Sequence, residues 1–255
     1  MSEDCPRLVA FYLPQYHPVP ENDAWWGKGF TEWTNVTRAG PLFDGHEQPR
    51  LPADLGFYDL RVPETRDAQA ELARRYGITA FCYYFYWFAG RRFLHRPLDE
   101  MLASRRPDMP FCLCWANETL TRRWDGRDRD VLLEQVHSPE SDRRFIEAVL
   151  PFLADPRYLR VDGVPVLLIY RPPLLADPQD TVEYWRARCR SAGLGGLHVA
   201  GMETFGFADP RPAGFDSAVE FFPHGARGDD IGGRIGDRPA GFSGRILDYA
   251  SVAAR

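Results

Sequence analysis

Six apolar segments rich in β-branched and aromatic residues punctuate the chain: Leu8–Leu13, Thr79–Phe85, Phe111–Trp115, Val164–Tyr170, Leu197–Met202 and Ser217–Phe221. Most are continuous apolar runs, the pattern of parallel strands covered on both faces. Between them, apolar positions recur at helical spacing. Glu64–Tyr76 carries Ala68, Leu72 and Tyr76 on one side and stops at Gly77, a residue suited to the left-handed turn after a helix. Ser138, Pro139 and Glu140 read as N-cap, first-turn proline and acidic first turn, with Phe145, Val149 and Leu153 on one side. Asp180 opens a third helix, with Val182, Trp185 and Cys189 inward and Gly193 past its end.

Strand and helix in alternation predict a parallel sheet with right-handed crossovers. No G-x-G-x-x-G or G-x-x-x-x-G-K-[ST] follows any strand, which argues against a nucleotide-binding sheet. Polar or aromatic clusters follow all six segments, as at the ligand face of a barrel. The expectation is therefore an α/β chain of (β/α)8 TIM-barrel type, one domain over residues 1–255. It is an incomplete one, because only six units are legible. A long loop from Gln15 to Pro63 takes up much of the length. After Glu220 comes a Gly- and Arg-rich loop, Gly225–Gly244, and a short helical tail, Arg245–Arg255. Six strands leave two open edges, so a complementing chain that supplies further strands is an expected partner.

Composition narrows the partners. A net charge of -5 with 26% charged residues points to no nucleic acid. The start, Met1 to Pro6, is acidic and lacks an apolar signal segment, and no apolar run is long enough to span a bilayer, so the expected location is cytoplasmic. Five cysteines without metal-ligand spacing read as buried thiols of a reducing compartment. The triplet Asp128-Arg129-Asp130 falls in a charged run, Asp125–Asp130, and reads as a solvated loop. No metal and no cofactor are expected, and no G-x-S-x-G elbow supports serine chemistry.

The richest chemistry follows the third segment. Phe111–Trp115 runs into Ala116-Asn117-Glu118 and then Arg122-Arg123-Trp124-Asp125, joining amide, carboxylate, guanidinium and indole groups. Acids and amides grip sugar hydroxyls, and flat rings cover the apolar faces of a pyranose. Glu118, Glu203 and Glu220 sit at or just past strand ends and are the candidate catalytic carboxylates, in keeping with two-acid glycoside cleavage. Candidate substrate-binding residues are Tyr12, Gln15, His17 and Trp33 from the first unit and Trp115, Asn117, Arg123, Trp124 and Asp125 from the third. Tyr170 and His224 join them from later units. Trp25, Trp26 and Trp33 crowd one loop, where Glu32 either orients the indoles or binds a hydroxyl.

These residues resemble the WbsX-like family, described as glycosyltransferases of bacterial surface polysaccharide loci and related to the family 99 glycoside hydrolases. The resemblance is carried by Ala10–Pro18, Trp25–Val36, Cys114–Glu118, Arg122–Gly126 and Val219–Phe221, and it extends over nearly the whole chain. It implies a (β/α)8 barrel acting on glycans of bacterial polysaccharide metabolism, by cleavage or by transfer. In the related mannose-directed hydrolases the catalytic glutamates belong to a late Asn-Glu-Trp-x-Glu-Gly type motif. Nothing here matches it, since Asn117-Glu118 is followed by Thr119. Glu118 is instead similar to a substrate-binding carboxylate on the third strand of those enzymes. That leaves a catalytically inactive carbohydrate-binding remnant, or a truncated barrel fragment, as the alternative.

Overall fold

The computed structural model describes residues 7–122, 127–222, 227–236 and 244–254, with the backbone alone at 127 and 128. All six apolar segments form strands of one parallel sheet: β1 (Leu8–Tyr12), β2 (Ile78–Phe88), β3 (Phe111–Trp115), β4 (Val164–Ile169), β5 (His198–Glu203) and β6 (Ser217–Glu220). Each strand pairs with the next in sequence, in the order of a barrel and not of a doubly wound sheet. Between β1 and β2 lie α1 (Pro20–Trp26), α2 (Glu32–Arg38) and α3 (Pro63–Arg75). α4 (Arg96–Ser104), α5 (Pro139–Leu153) and α6 (Pro178–Ser191) serve the next three crossovers, and α7 (Tyr249–Ala253) lies in the tail.

The sheet is curled. Phe11 of β1 and Phe221, just past β6, meet edge to face at 5.2 Å across the concave side. Among the described residues β1 pairs only with β2, and β6 only with β5, so the curl stops short of closure. The fold is a half-barrel of TIM type.

The sheet alternation decides what goes where. Phe11, Cys82 and Cys112 share a register line, as do Tyr84, Cys114, Leu168, Ala200 and Ser217, and these face the concave side. The opposite parity, including Trp115, Ile169 and Gly201, faces the helices. There Trp115 is fully buried, stacked on Phe145 of α5 at 3.9 Å and beside Trp185 of α6 at 6.2 Å. Its indole N–H donates to the Trp87 carbonyl at 3.1 Å, so even the polar edge of the ring is satisfied. The four described cysteines, Cys82, Cys112, Cys114 and Cys189, are buried and unbridged.

Three local expectations change. β2 runs on to Phe88 because a short antiparallel strand, Arg91–Phe93, pairs with its end. α6 begins at Pro178, and Asp177 caps it by accepting the amide of Asp180. The charged run read as a loop is largely strand: Leu120–Arg122 and Arg127–Leu133 form an antiparallel ribbon that carries Asp128-Arg129-Asp130.

Candidate functional site

A cavity of about 250 Å³ opens at the carboxyl ends of β1 to β4. That is just below the ~300–1,000 Å³ of clefts for drug-sized ligands, and suits something the size of a sugar ring. The concave parity builds its floor. Leu13 and Gln15 continue the face of Phe11, Tyr84 and Tyr86 lie on β2, Ala116 and Glu118 follow Cys114, and Tyr170 follows Leu168. The roof is added by loops: Asn22, Trp25 and Trp26 of α1, Glu32 of α2, and Thr119, Leu120 and Thr121 of the ribbon.

Local sequence explains the roof. Gly27 and Gly29 take positive φ (102° and 81°), a conformation costly for other residues, and fold the chain back between α1 and α2. The Gly29 amide donates to Asp23 at 2.8 Å, and Phe30 plugs beneath Trp26 with ring centres 5.7 Å apart. This turn brings Glu32 to the same cavity as the two indoles. The Arg122 guanidinium lies 4.7 Å over the Trp26 ring and ties the ribbon to α1.

The two cavity carboxylates have different surroundings. Glu118 binds Arg171 at 2.9 Å. Arg171 is itself fixed three ways: its guanidinium sits 3.6 Å from the Phe205 ring centre, its amide donates to Asn117 Oδ1 at 2.7 Å, and its carbonyl accepts from Asn117 Nδ2 at 2.9 Å. Behind Asn117, the His137 ring bridges the Asn117 carbonyl (2.9 Å) and buried Asp142 of α5 (2.7 Å). Glu32 has no side-chain hydrogen bond or ion pair with a described residue, and burial pushes its carboxyl up to about 7. Tyr86 between them is raised far above its usual range, first by burial and then by the nearby Glu32 carboxylate, with a smaller push from Glu118.

The expected site residues thus divide. Gln15, Glu118 and Tyr170 line the cavity. Asn117 is fully buried behind it and holds Arg171 in place. Trp115 and Tyr12 have the opposite parity: Trp115 is core, and the Tyr12 hydroxyl donates to Gln69 of α3 at 2.6 Å. Trp33 packs on Tyr16 and donates to the Tyr58 carbonyl at 2.8 Å, outside the cavity. His17 is buried outside the cavity lining, and burial lowers its imidazole to about 4. Glu203 and Glu220 are register partners on neighbouring strands, on the helix-facing parity. Glu220 is exposed, and neither lines the cavity. A strand end guarantees proximity to the rim but not direction. Arg123, Trp124, Asp125 and His224 lie outside the described residues. Among the described residues no cluster of three or more His, Cys, Asp or Glu could hold a metal.

The family model for "Glycosyltransferase WbsX" matches residues 8–242, which includes every strand of the sheet and both carboxylates of the cavity. The chain belongs to the WbsX glycosyltransferase family. Two WxcX proteins of Xanthomonas campestris pv. campestris, both described as uncharacterized, are 54% and 53% identical over 246 residues. Those matches cover 96% of this chain, which spans only 35% of the length of either relative. Two solved structures of the GH99 endo-alpha-mannosidase from Bacteroides thetaiotaomicron share the fold of this WbsX-family chain, with TM-scores of 0.52 and 0.54 at 16% identity. They match 85% of this chain and 59% and 61% of theirs, and one holds BIS-TRIS-Propane.

Proposed function

We propose that this WbsX-family half-barrel binds a glycan in the cavity around Glu118 and serves the making or breaking of glycosidic bonds in bacterial polysaccharide metabolism. The observation that carries the reading is Glu118, held by Arg171 and through it by Asn117, facing aromatic walls at the strand ends. Glu118 and the amides of Gln15 and Asn22 offer both acceptors and donors to hydroxyls. Tyr84, Tyr86, Trp25, Trp26 and Tyr170 offer flat apolar surface. Family membership supports the glycan reading, and the fold shared with the mannosidase makes α-linked mannose glycans the first ligands to try.

The reaction is the finer part of this proposal. A transferase of this kind uses a nucleotide sugar, so saturable binding of one would favour transfer, and hydrolysis of an oligosaccharide would favour cleavage. A specific observation favours a second reading, glycan binding without turnover: Glu203 and Glu220 lie away from the cavity. Calorimetric titration of the chain with α-linked manno-oligosaccharides tests the shared claim. Glu118→Gln, which frees the Arg171 guanidinium from its partner, is expected to weaken binding at least tenfold. Equal affinity of the variant and the wild type would remove Glu118 from the site.

A further inference from the structure

Glu32 belongs to no sequence-derived list of catalytic residues, yet it is the only described carboxyl besides Glu118 that lines the cavity. The two are not equivalent. Glu118 has a guanidinium 2.9 Å away. Glu32 begins α2 behind the Gly27-Lys28-Gly29 turn and meets apolar and phenolic groups in the place of a cation. Carboxyl pairs whose surroundings differ in this way divide the work into an acid and a base or acceptor.

We infer that Glu32 is the proton-bearing member of the pair, donating a hydrogen bond to an oxygen of a neutral sugar that Glu118 grips as an acceptor. The inference rests on the glycan reading of the cavity and deepens it. It names an uncharged saccharide as the ligand class and Glu32 as the residue that senses its charge.

The groups facing Glu32 are consistent with this role. From the exit of β1 comes Tyr16, itself raised by burial and then by Glu32. From β2 comes Tyr86, which stays neutral because of its burial and the nearby carboxyl. Across the cavity stand Glu118, already paired with Arg171, and Tyr170. Arg122 reaches the roof, but stacks on Trp26. An unpaired carboxylate at this spot would be desolvated with no compensating partner, a cost that a retained proton removes. The upward shift of Glu32 to about 7 agrees with that geometry.

The consequence is affinity that depends on pH near neutrality. The competent fraction of Glu32 falls from most of the population at pH 6 to about a tenth at pH 8, so the apparent affinity of a neutral sugar falls about tenfold over that range. Glu32→Gln keeps a donor and cannot ionise, so its affinity is expected to vary less than twofold between pH 6 and pH 8.

The experiment titrates the full chain with neutral α-linked disaccharides of mannose, glucose and galactose at pH 6, 7 and 8. A wild-type slope abolished by Glu32→Gln supports the assignment. A wild type that binds equally at all three pH values overturns Glu32 as donor and leaves the cavity a sugar site. A disaccharide of glucosamine that binds more tightly as pH rises, and is lost in Glu32→Gln, overturns the neutral-sugar class in favour of a cationic one. No binding by any of them overturns the glycan reading and this inference together. A ligand-free readout separates the two. The Glu32 ¹³Cδ resonance, assigned by its absence in Glu32→Gln, is expected to titrate with a midpoint near 7. A midpoint in the ordinary carboxylate range would sink the protonated state by itself.

Discussion

Glu32 and Glu118 carry the same functional group in different company: Glu118 has the Arg171 guanidinium at 2.9 Å, and Glu32 is buried with no cation beside it. The difference has a cost in stability with a defined sign. Free glutamate ionises near 4.5, whereas folded Glu32 holds its proton to about 7. Between those values the unfolded chain loses the proton first, so folding weakens as pH rises through the window and stays weakened above it. The full loss is on the order of 3 kcal/mol. Glu32→Gln removes it. The advantage of the variant over the wild type is therefore expected to grow by that amount between pH 4 and pH 8, measured by urea unfolding. An advantage that stays constant across the range would mean that Glu32 ionises like a surface residue. His17 works in the opposite direction. Buried and held down to about 4, it weakens the fold as pH drops below the usual imidazole range, because the unfolded chain takes up the proton first.

At the scale of elements, the site depends on a joint between α5 and the ends of β3 and β4. Ser138 caps α5 by accepting the Ser141 amide at 3.1 Å, Pro139 occupies the first turn, and Asp142 reaches back to His137. His137 holds the Asn117 carbonyl, and Asn117 holds both backbone groups of Arg171. Glu118, which lines the cavity, is thus positioned by a relay starting on a helix that does not touch it. Removing its central member should be felt at both ends. Asn117→Ala leaves the Arg171 amide without a partner, at ~1–3 kcal/mol, while the Arg171 carbonyl keeps the Leu174 amide at 3.0 Å. The expected outcome is a loss of about 2 kcal/mol in denaturant unfolding together with weakened sugar binding. A loss below about 1 kcal/mol would show that Arg171 is placed by its contacts with Phe205 and Glu118 alone. The joint was only half legible in the sequence. The S-P-E start of α5 announces a helix, but nothing in the spacing of Asn117 from Arg171 or of His137 from Asp142 says that they touch.

At the scale of the whole molecule, the curled sheet is open. β1 and β6 each have one described strand partner, and Leu8, Val9, Phe11, Leu13 and Phe222 are exposed around that opening. Unpaired edges beside apolar surface invite pairing with another chain. The chain by itself is expected to associate as its concentration rises, as read by light scattering. Val9→Lys, which places a charge on the β1 edge, is expected to reduce that association without changing the far-ultraviolet dichroism. A monodisperse monomer across the concentration range would show that the edges are covered from within. No helix among the described residues is long and apolar enough to cross a membrane. What the sequence determined by itself is the order and kind of the elements, because continuous apolar runs and helical spacing are local properties of the chain. It also carried the family likeness, in motifs such as Trp25–Val36 that survive without any knowledge of contacts. Only the tertiary structure decided which strand-end residues line the cavity. A strand turns its side chains alternately, so a shift of one position separates Trp115 in the core from Ala116 and Glu118 at the cavity. The same alternation turned Glu203 and Glu220 away, and the fold-back of a loop between two helices brought Glu32 in. Those are matters of register and long-range packing, which no local pattern encodes.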